Sequence, residues 1–142
     1  MEFNFGINRV IGELLVVNLE KSNFEKLEVY QLAEKLADEI WNIVDKWQYF
    51  EKDTLGKQIV RSADSIGANI AEGNGRYGYK DNQRFVRIAR GSLNETRHWL
   101  RRAYTRNLLT EEQIKNLKPT IEELTLKLNG YLRYLKNAAT NH

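Results

Sequence analysis

The feature that most constrains the fold is an apolar repeat near the carboxyl end of the chain. Its members alternate at spacings of three and four residues, which is the a/d pattern of a helix that packs against other helices. They are Ile114, Leu117, Ile121, Leu124, Leu128, Tyr131 and Leu135. Thr110 and Gln113 form a capping-box pattern ahead of the repeat and predict the start of the helix. Pro119 lacks a backbone donor, so we expect a kink or a later helix start there.

Three further segments with helical periodicity precede this repeat. The first, from about residue 24 to 47, places its apolar residues on one face. The second is predicted to begin with Asp53 or Thr54 as N-cap and to stop at Gly73, because glycine adopts the left-handed conformation at low cost. The third runs from about residue 80 to 107. Four amphipathic helices with short connections predict an all-α, antiparallel up-down four-helix bundle.

The predicted bundle occupies residues 24–142, and residues 1–23 form a short N-terminal extension. The apolar residues 14–17 favour packing of this extension on the bundle or on a neighbouring subunit, and a loosely ordered extension is the alternative. The extension lacks the basic start and long apolar core of a signal peptide. The chain has no cysteine and no apolar run that could span a bilayer. We therefore expect a cytoplasmic protein.

A narrow polar ridge runs along the second helix, opposite its apolar face. At about 100° per residue the ridge residues fall within an arc of roughly 80°. They are Gln58, Arg61, Ser65, Asn69, Glu72 and Arg76. One interpretation is a solvated face. The other is a face that fixes helix register or a subunit contact.

The contact hypothesis predicts specific neighbours for this ridge. Gly67 is small, and so are Gly91 and Ser92 of the third helix, which predicts close approach of the two helices. Glu95 is a natural ion-pair partner for Arg61. By the same reasoning, Glu72 is expected to meet Arg87 or Arg90.

Residues 73–78 match the G-x-G-x-x-G spacing of a dinucleotide-binding loop. That fingerprint follows a strand and opens a helix. Here it follows a predicted helix, and no parallel-strand pattern occurs in the chain. We therefore interpret these glycines as the turn between the second and third helices.

Basic charge is concentrated on the third helix. Residues 84–106 contain seven arginines and a single acid, Glu95. Four of the arginines share an arc of about 80° away from the apolar face. They are Arg87, Arg90, Arg97 and Arg101. Guanidinium groups match phosphate geometry, so this face suits a nucleic-acid backbone. The alternative is a solvated face paired with glutamates of other helices.

Three cations of the second helix extend this basic face if the two helices are neighbours, namely Lys57, Arg61 and Arg76. No base-reading motif is visible, so binding would depend on shape or backbone. The only histidines are His98 and His142, and no catalytic or metal-binding motif occurs. The sequence thus predicts a non-enzymatic protein without metal or cofactor.

Two motifs resemble those of the 23S rRNA-intervening-sequence proteins. Residues 65–73, SIGANIAEG, are similar to that family's S-I-x-x-N-I-A-E-G signature, and Arg76 fits its following arginine. Residues 89–95 are similar to its A-x-G-S-L-x-E element, and residues 24–36 to its helix-one opening. The resemblance implies a four-helix bundle, ring-shaped homo-oligomers that are typically pentamers, and no established catalytic activity. The family is named after genes within bacterial 23S rRNA genes, which does not demonstrate ribosome binding.

A more distant resemblance is to the accessory variability protein of diversity-generating retroelements, a basic pentameric bundle that partners a reverse transcriptase and nucleic acid. Two functions are therefore expected: backbone-type binding of RNA or DNA, or an adaptor that docks a protein such as a reverse transcriptase. The candidate phosphate contacts are four arginines of the third helix: Arg87, Arg90, Arg97 and Arg101. The structural or interface residues are Arg61, Ser65, Asn69, Glu72, Gly73, Arg76, Gly91, Ser92 and Glu95.

Overall fold

The computed structural model describes residues 23–141, and predictions made for residues 1–22 and His142 lie outside this part. Four antiparallel helices make up the bundle: α1 Glu28–Val44, α2 Lys57–Asn74, α3 Tyr79–Thr105 and α4 Glu111–Thr140. A 3₁₀ turn, Asn23–Lys26, precedes α1, and the helical turns Tyr49–Glu51 and Lys52–Gly56 lead into α2. No helix between residues 23 and 141 has the length and apolarity needed to cross a membrane.

Each helix packs against two neighbours, so that the four helices form a square in the order of the chain. The most extensive contact joins α2 to α3. Leucine, isoleucine and valine side chains from all four helices fill the centre. The largest of them that are fully buried are Leu36, Ile40, Ile59, Ile66, Ile70, Val86, Leu93, Leu124, Leu128 and Leu135. The all-α up-down bundle is thereby confirmed.

The predicted stop of α2 at Gly73 is wrong, because α2 continues to Asn74. No glycine among residues 23–141 has a positive φ. Gly73 is instead a point of close approach between α2 and α3: a Cβ atom there would lie 2.6 Å from Asn82 Oδ1 and 2.9 Å from Phe85 Cβ. The glycine therefore lets the two helices touch where the chain reverses. The rest of the G-x-G-x-x-G segment forms the turn, as predicted.

The predicted N-cap of α2 is also wrong. Neither Asp53 nor Thr54 caps a helix, since helical turns begin at Tyr49 and run directly into α2. Asp53 Oδ1 forms an ion pair with Lys57 Nζ at 2.6 Å. Thr54 donates its hydroxyl to the carbonyl of Phe50 at 2.7 Å. Both residues thus lie inside continuous helical backbone, where their side chains serve local contacts.

The start of α4 agrees with the sequence. Thr110 Oγ1 accepts from the backbone N–H of Gln113 at 3.1 Å, and Gln113 Oε1 accepts from the N–H of Thr110 at 2.9 Å. This reciprocal pair satisfies two donors that a helix start leaves free. Pro119 lies inside α4, so the helix does not begin late. The seam residues of α4 are buried or half-buried, as the repeat predicted.

Asn107 makes the short turn between α3 and α4 possible. Its φ of 61° is the only positive value for a non-glycine residue in the described chain. Asparagine tolerates this conformation better than most residues. The N–H groups of Asn107 and Leu108 donate to Tyr104 and Ala103, which closes α3 in a Schellman motif. The chain therefore reverses tightly and brings the arginines of α3 beside α4.

Candidate nucleic-acid interface

The four arginines predicted on one face of α3 share one exposed side of the helix. All four are exposed. Arg87 and Arg90 line one groove between α3 and α4, and Arg97 and Arg101 line a cleft farther along the same two helices. We call these four residues the arginine row. It follows the boundary between α3 and α4 rather than the boundary between α2 and α3.

The arginine row has no acidic partner within residues 23–141. Arg87 Nη2 donates to Gln83 Oε1 at 3.2 Å, and Arg90 Nη1 donates to Asn129 Oδ1 at 3.3 Å. Arg97 donates to the hydroxyl of Thr125. These neutral acceptors orient the side chains without neutralising their charge. Because each guanidinium has five N–H donors, most donors stay available for a phosphate group.

The structure adds cations that the sequence reasoning missed. Arg133 and Lys136 of α4 face Arg87 and Arg90 across a groove of about 310 Å³. An adjoining groove of about 460 Å³ adds Lys80. We call these three added cations, together with Arg87 and Arg90, the basic groove. The signal in the sequence was the spacing of Arg133 and Lys136, which puts both on one edge of the α4 seam.

Two of the three cations that were expected to extend the arginine row from α2 form ion pairs with nearby acids. Lys57 pairs with Asp53, and this hydrogen bond raises the pKa of Lys57. Arg76 pairs with Glu72 at 2.7 Å and lies 3.6 Å from Asp81, with its guanidinium over the ring of Phe85. These two cations are therefore paired with nearby acids, whereas Arg61 makes no ion pair in the described chain. Further cations beside the arginine row come from α4.

The polar ridge of α2 is exposed or half-buried, as its spacing predicted. The ion pairs predicted between this ridge and α3 do not form within a single chain. Glu72 pairs with Arg76 rather than with Arg87 or Arg90. Arg61 and Glu95 are exposed, and neither makes an ion pair inside the described part of the chain. Asn69 Nδ2 donates to the Ser65 carbonyl at 2.8 Å, which is a bond within α2.

The small residues of the two motifs also behave differently from the prediction. A Cβ atom on Gly67 would lie 3.4 Å from the ring of Tyr30, so this glycine faces α1 and not α3. Gly91 has open space around it. A buried polar pair lies within the otherwise apolar contact between α2 and α3: Thr96 Oγ1 is 2.9 Å from Ser62 Oγ and 2.8 Å from the Ser92 carbonyl oxygen. The sequence analysis did not identify this pair.

An apolar cleft of about 470 Å³ lies between α3 and α4 at the end of the arginine row. We call it the α3–α4 cleft. Its apolar walls are Leu100, Leu109, Ile114, Leu117 and Ile121. Arg97, Arg101, Lys118, Tyr104, Glu111 and Glu122 stand around it. Tyr104 is held in place because its hydroxyl donates to Glu111 Oε1 at 3.1 Å, and this bond raises the pKa of Tyr104.

The α1–α2 side of the bundle carries the opposite charge. Glu34 and Asp38 are exposed on α1, and Asp64 is exposed on α2. Partial burial, together with the nearby carboxylate of Asp38, raises the pKa of Asp64. None of these three acids forms an ion pair within residues 23–141. Exposed carboxylates without ion pairs therefore lie on the α1–α2 side, and the arginine row lies on the α3–α4 side.

The described residues contain no group of three or more histidines, cysteines or acids placed to hold a metal ion. His98 is exposed, and its ring contacts Trp99 edge to face with centroids 4.7 Å apart. The α3–α4 side presents guanidinium, ammonium and carboxylate groups beside an apolar cleft.

The comparisons with known proteins agree with the two sequence motifs. A family model described as 23S rRNA-intervening sequence protein matches residues 25–130. The structure of a protein of unknown function from the S23 ribosomal protein family of Bacteroides thetaiotaomicron is 28% identical, with a TM-score of 0.65. This likeness covers 73% of the present chain and 97% of the other. No curated protein matches the chain. Because the family model spans most of the bundle, the chain belongs to the family of 23S rRNA-intervening sequence proteins.

Proposed function

We propose that this protein is a non-enzymatic homo-oligomer whose α3–α4 side binds nucleic acid through the phosphate backbone. The observation that carries the proposal is the arginine row, which has no carboxylate partner in the described residues. The exposed acids Glu34, Asp38 and Asp64 lie on the opposite side of the bundle, whereas Glu111 and Glu122 stand at the cleft where the row ends. Arg133 and Lys136 of α4 line the same groove as Arg87 and Arg90.

The chemistry of the groove fits phosphate groups better than base edges. Guanidinium groups bind phosphate oxygens in bidentate pairs, and neutralising several phosphates releases condensed counterions. Residues 23–141 contain no strand, so no β-ribbon is available there to read base edges. Binding is therefore expected to depend strongly on salt and weakly on base sequence.

The test compares two variants with the same change in net charge. One replaces the arginine row with alanine, and the other replaces four exposed lysines away from this row, Lys26, Lys35, Lys46 and Lys127. Fluorescence anisotropy with labelled RNA and DNA at low salt measures affinity. We expect the first variant to bind roughly 100-fold more weakly, because it loses charge-assisted phosphate contacts. We expect the lysine variant to stay within a few-fold of the native chain.

Two results would count against the proposal. If the native chain binds no nucleic acid at low salt, the proposed function is wrong. If both variants lose affinity equally, the overall charge matters and the arginine row does not.

The proposed interface between subunits lies on a different side of the bundle, at the exposed edge between α2 and α3. Arg61 and Glu95 lie on this edge with opposite charges and no partner in the described chain. Gly91 leaves open space that a neighbouring subunit can enter. We propose that Arg61 of one subunit pairs with Glu95 of the next, in a ring that the family resemblance suggests is a pentamer.

A charge exchange tests this contact. Arg61→Glu places two acids at the proposed contact and is expected to shift the mass measured by light scattering toward the monomer. Adding Glu95→Arg restores opposite charges and is expected to restore the larger mass. A native chain that is monomeric, or an oligomer that tolerates Arg61→Glu unchanged, contradicts the contact.

An adaptor function is the second candidate, and exposed aromatic residues support it. Trp41 is 57% exposed, Tyr49 is 81% exposed and Phe50 is 72% exposed. All three lie near the connection from α1 to α2, and large exposed apolar side chains are typical of protein interaction sites. A reverse transcriptase encoded beside this chain should then co-purify with it, and Trp41→Ala should weaken that association. Co-purification unaffected by Trp41→Ala would contradict docking at these aromatic residues.

A further inference from the structure

The arginine row ends at an apolar site. Arg97 and Arg101 belong to the row and also stand at the α3–α4 cleft. Leu100, Leu109 and Leu117 are nearly completely buried behind them. A phosphate group gains nothing from these apolar walls, because burying a charge away from partners is costly. A ligand that follows the row must therefore present something apolar when it reaches the cleft.

We propose that the α3–α4 cleft accepts an unpaired nucleobase, so that the nucleic acid bound by the arginine row is single-stranded at this point. The inference rests on the proposed function. A base in a duplex is stacked and paired within the helix and cannot enter a cleft. An unpaired base is flat, largely apolar on its faces and free to turn out from its backbone.

Tyr104 provides the surface on which such a base can stack. Its ring is 49% exposed beside the cleft, and its hydrogen bond to Glu111 keeps the side chain in place. Stacking of bases on aromatic rings is sequence-tolerant, because every base has a π-face. The guanidinium of Arg97 or Arg101 offers a second planar surface.

The polar groups of the cleft suit the edge of a base and the adjacent phosphate. Lys118 stands at the cleft and forms a weak ion pair with Glu122 at 4.0 Å. Its ammonium group can meet a phosphate next to the bound base. The carboxylates of Glu111 and Glu122 can accept hydrogen bonds from an exocyclic amino group, as acids do with cytosine.

A protein side chain is the competing occupant, and the charge around the cleft decides against it. An apolar side chain of a protein partner would contact only the apolar walls of the cleft and would leave the arginines beside it without a partner. The arginines that lead to the cleft have no carboxylate partner in the described chain, and they match a polyanion. One continuous ligand with alternating phosphates and flat bases uses both features.

The test compares a short unstructured RNA with a fully paired duplex of the same length. We expect the native chain to prefer the single strand. Tyr104→Ala should weaken single-strand binding about tenfold, since it removes the stacking surface, and should leave duplex binding unchanged. Tyr104→Phe keeps the stacking ring but loses the bond to Glu111, so it should bind much more tightly than Tyr104→Ala and within a few-fold of the native chain. Tyr134→Ala, which removes an aromatic ring 59% exposed elsewhere on α4, is the matched control and should also bind normally.

A fluorescent base analogue in the single strand gives an independent measurement. Its emission should be quenched on binding to the native chain and should recover in Tyr104→Ala. Equal affinity for single strand and duplex, together with no effect of Tyr104→Ala, overturns the cleft inference. If the cleft inference fails in this way but the arginine-row variant still loses RNA binding, the proposed function remains supported without the cleft inference. If no RNA binds at all, the proposed function fails and the cleft inference fails with it.

Discussion

Replacing Gly73 with alanine is expected to lower the free energy of unfolding by about 1–3 kcal/mol, the usual cost of inserting a group into a packed interior. The new Cβ atom would lie 2.6 Å from Asn82 Oδ1, 2.9 Å from Phe85 Cβ and 3.1 Å from the Asn82 carbonyl oxygen. The amide oxygen can turn away, but the other two atoms are fixed by the backbone of α3. The helices must therefore separate where α2 meets α3.

Gly130→Ala is the matched control, because it makes the same change inside another helix. A Cβ atom there would come only within 3.7 Å of an Arg133 nitrogen, which is an ordinary contact. Alanine is favoured over glycine in a helix, so this variant should be more stable by up to about 1 kcal/mol. Urea unfolding followed by circular dichroism, at one protein concentration, measures both changes. Equal effects of the two substitutions would show that Gly73 is not a contact site.

Leu124→Ala is expected to lower the free energy of unfolding by about 2–5 kcal/mol. Leu124 is completely buried at the centre of the α4 seam. Truncation removes apolar contacts and leaves a cavity that the other three helices cannot close. Since small domains are stable by only about 5–15 kcal/mol, this single change removes a large part of the total.

Leu126→Ala tests whether this cost comes from burial or from the loss of leucine on α4. Leu126 lies two residues farther along the helix and is 71% exposed. Its truncation should change the free energy of unfolding by less than about 0.5 kcal/mol. The same urea titration serves for both variants. A comparable loss for Leu126→Ala would contradict the proposed orientation of α4.

The fold could be predicted from the sequence because each helix has a periodic apolar face. The repeat from Ile114 to Leu135 and the capping box at Thr110 placed α4 within a few residues of its true limits. The limits of α2 could not be predicted in the same way. Asp53 and Gly73 look like a cap and a stop in isolation. In the structure Asp53 lies inside a continuous run of helical turns and pairs with Lys57, and Gly73 is a contact between α2 and α3.

The candidate site was predictable only in part. Helical spacing is enough to place the arginine row on one face, because it depends on a single helix. Which neighbouring helix completes that face depends on the rotation of each helix about its axis, and spacing alone does not determine it. Three features could be identified only from the assembled bundle. They are the position of Arg133 and Lys136 beside the arginine row, the pairing of Glu72 with Arg76, and the α3–α4 cleft.

The salt dependence of binding to single-stranded RNA tests the central claim most directly. The logarithm of the association constant should fall linearly with the logarithm of salt concentration, because phosphate contacts release counterions. Replacing the arginine row with alanine should reduce the steepness of this line by about 3, corresponding to four lost phosphate contacts on a single strand. The lysine control variant should keep the native slope. A native slope near zero, or a slope unchanged by loss of the arginine row, would contradict phosphate binding on the α3–α4 side.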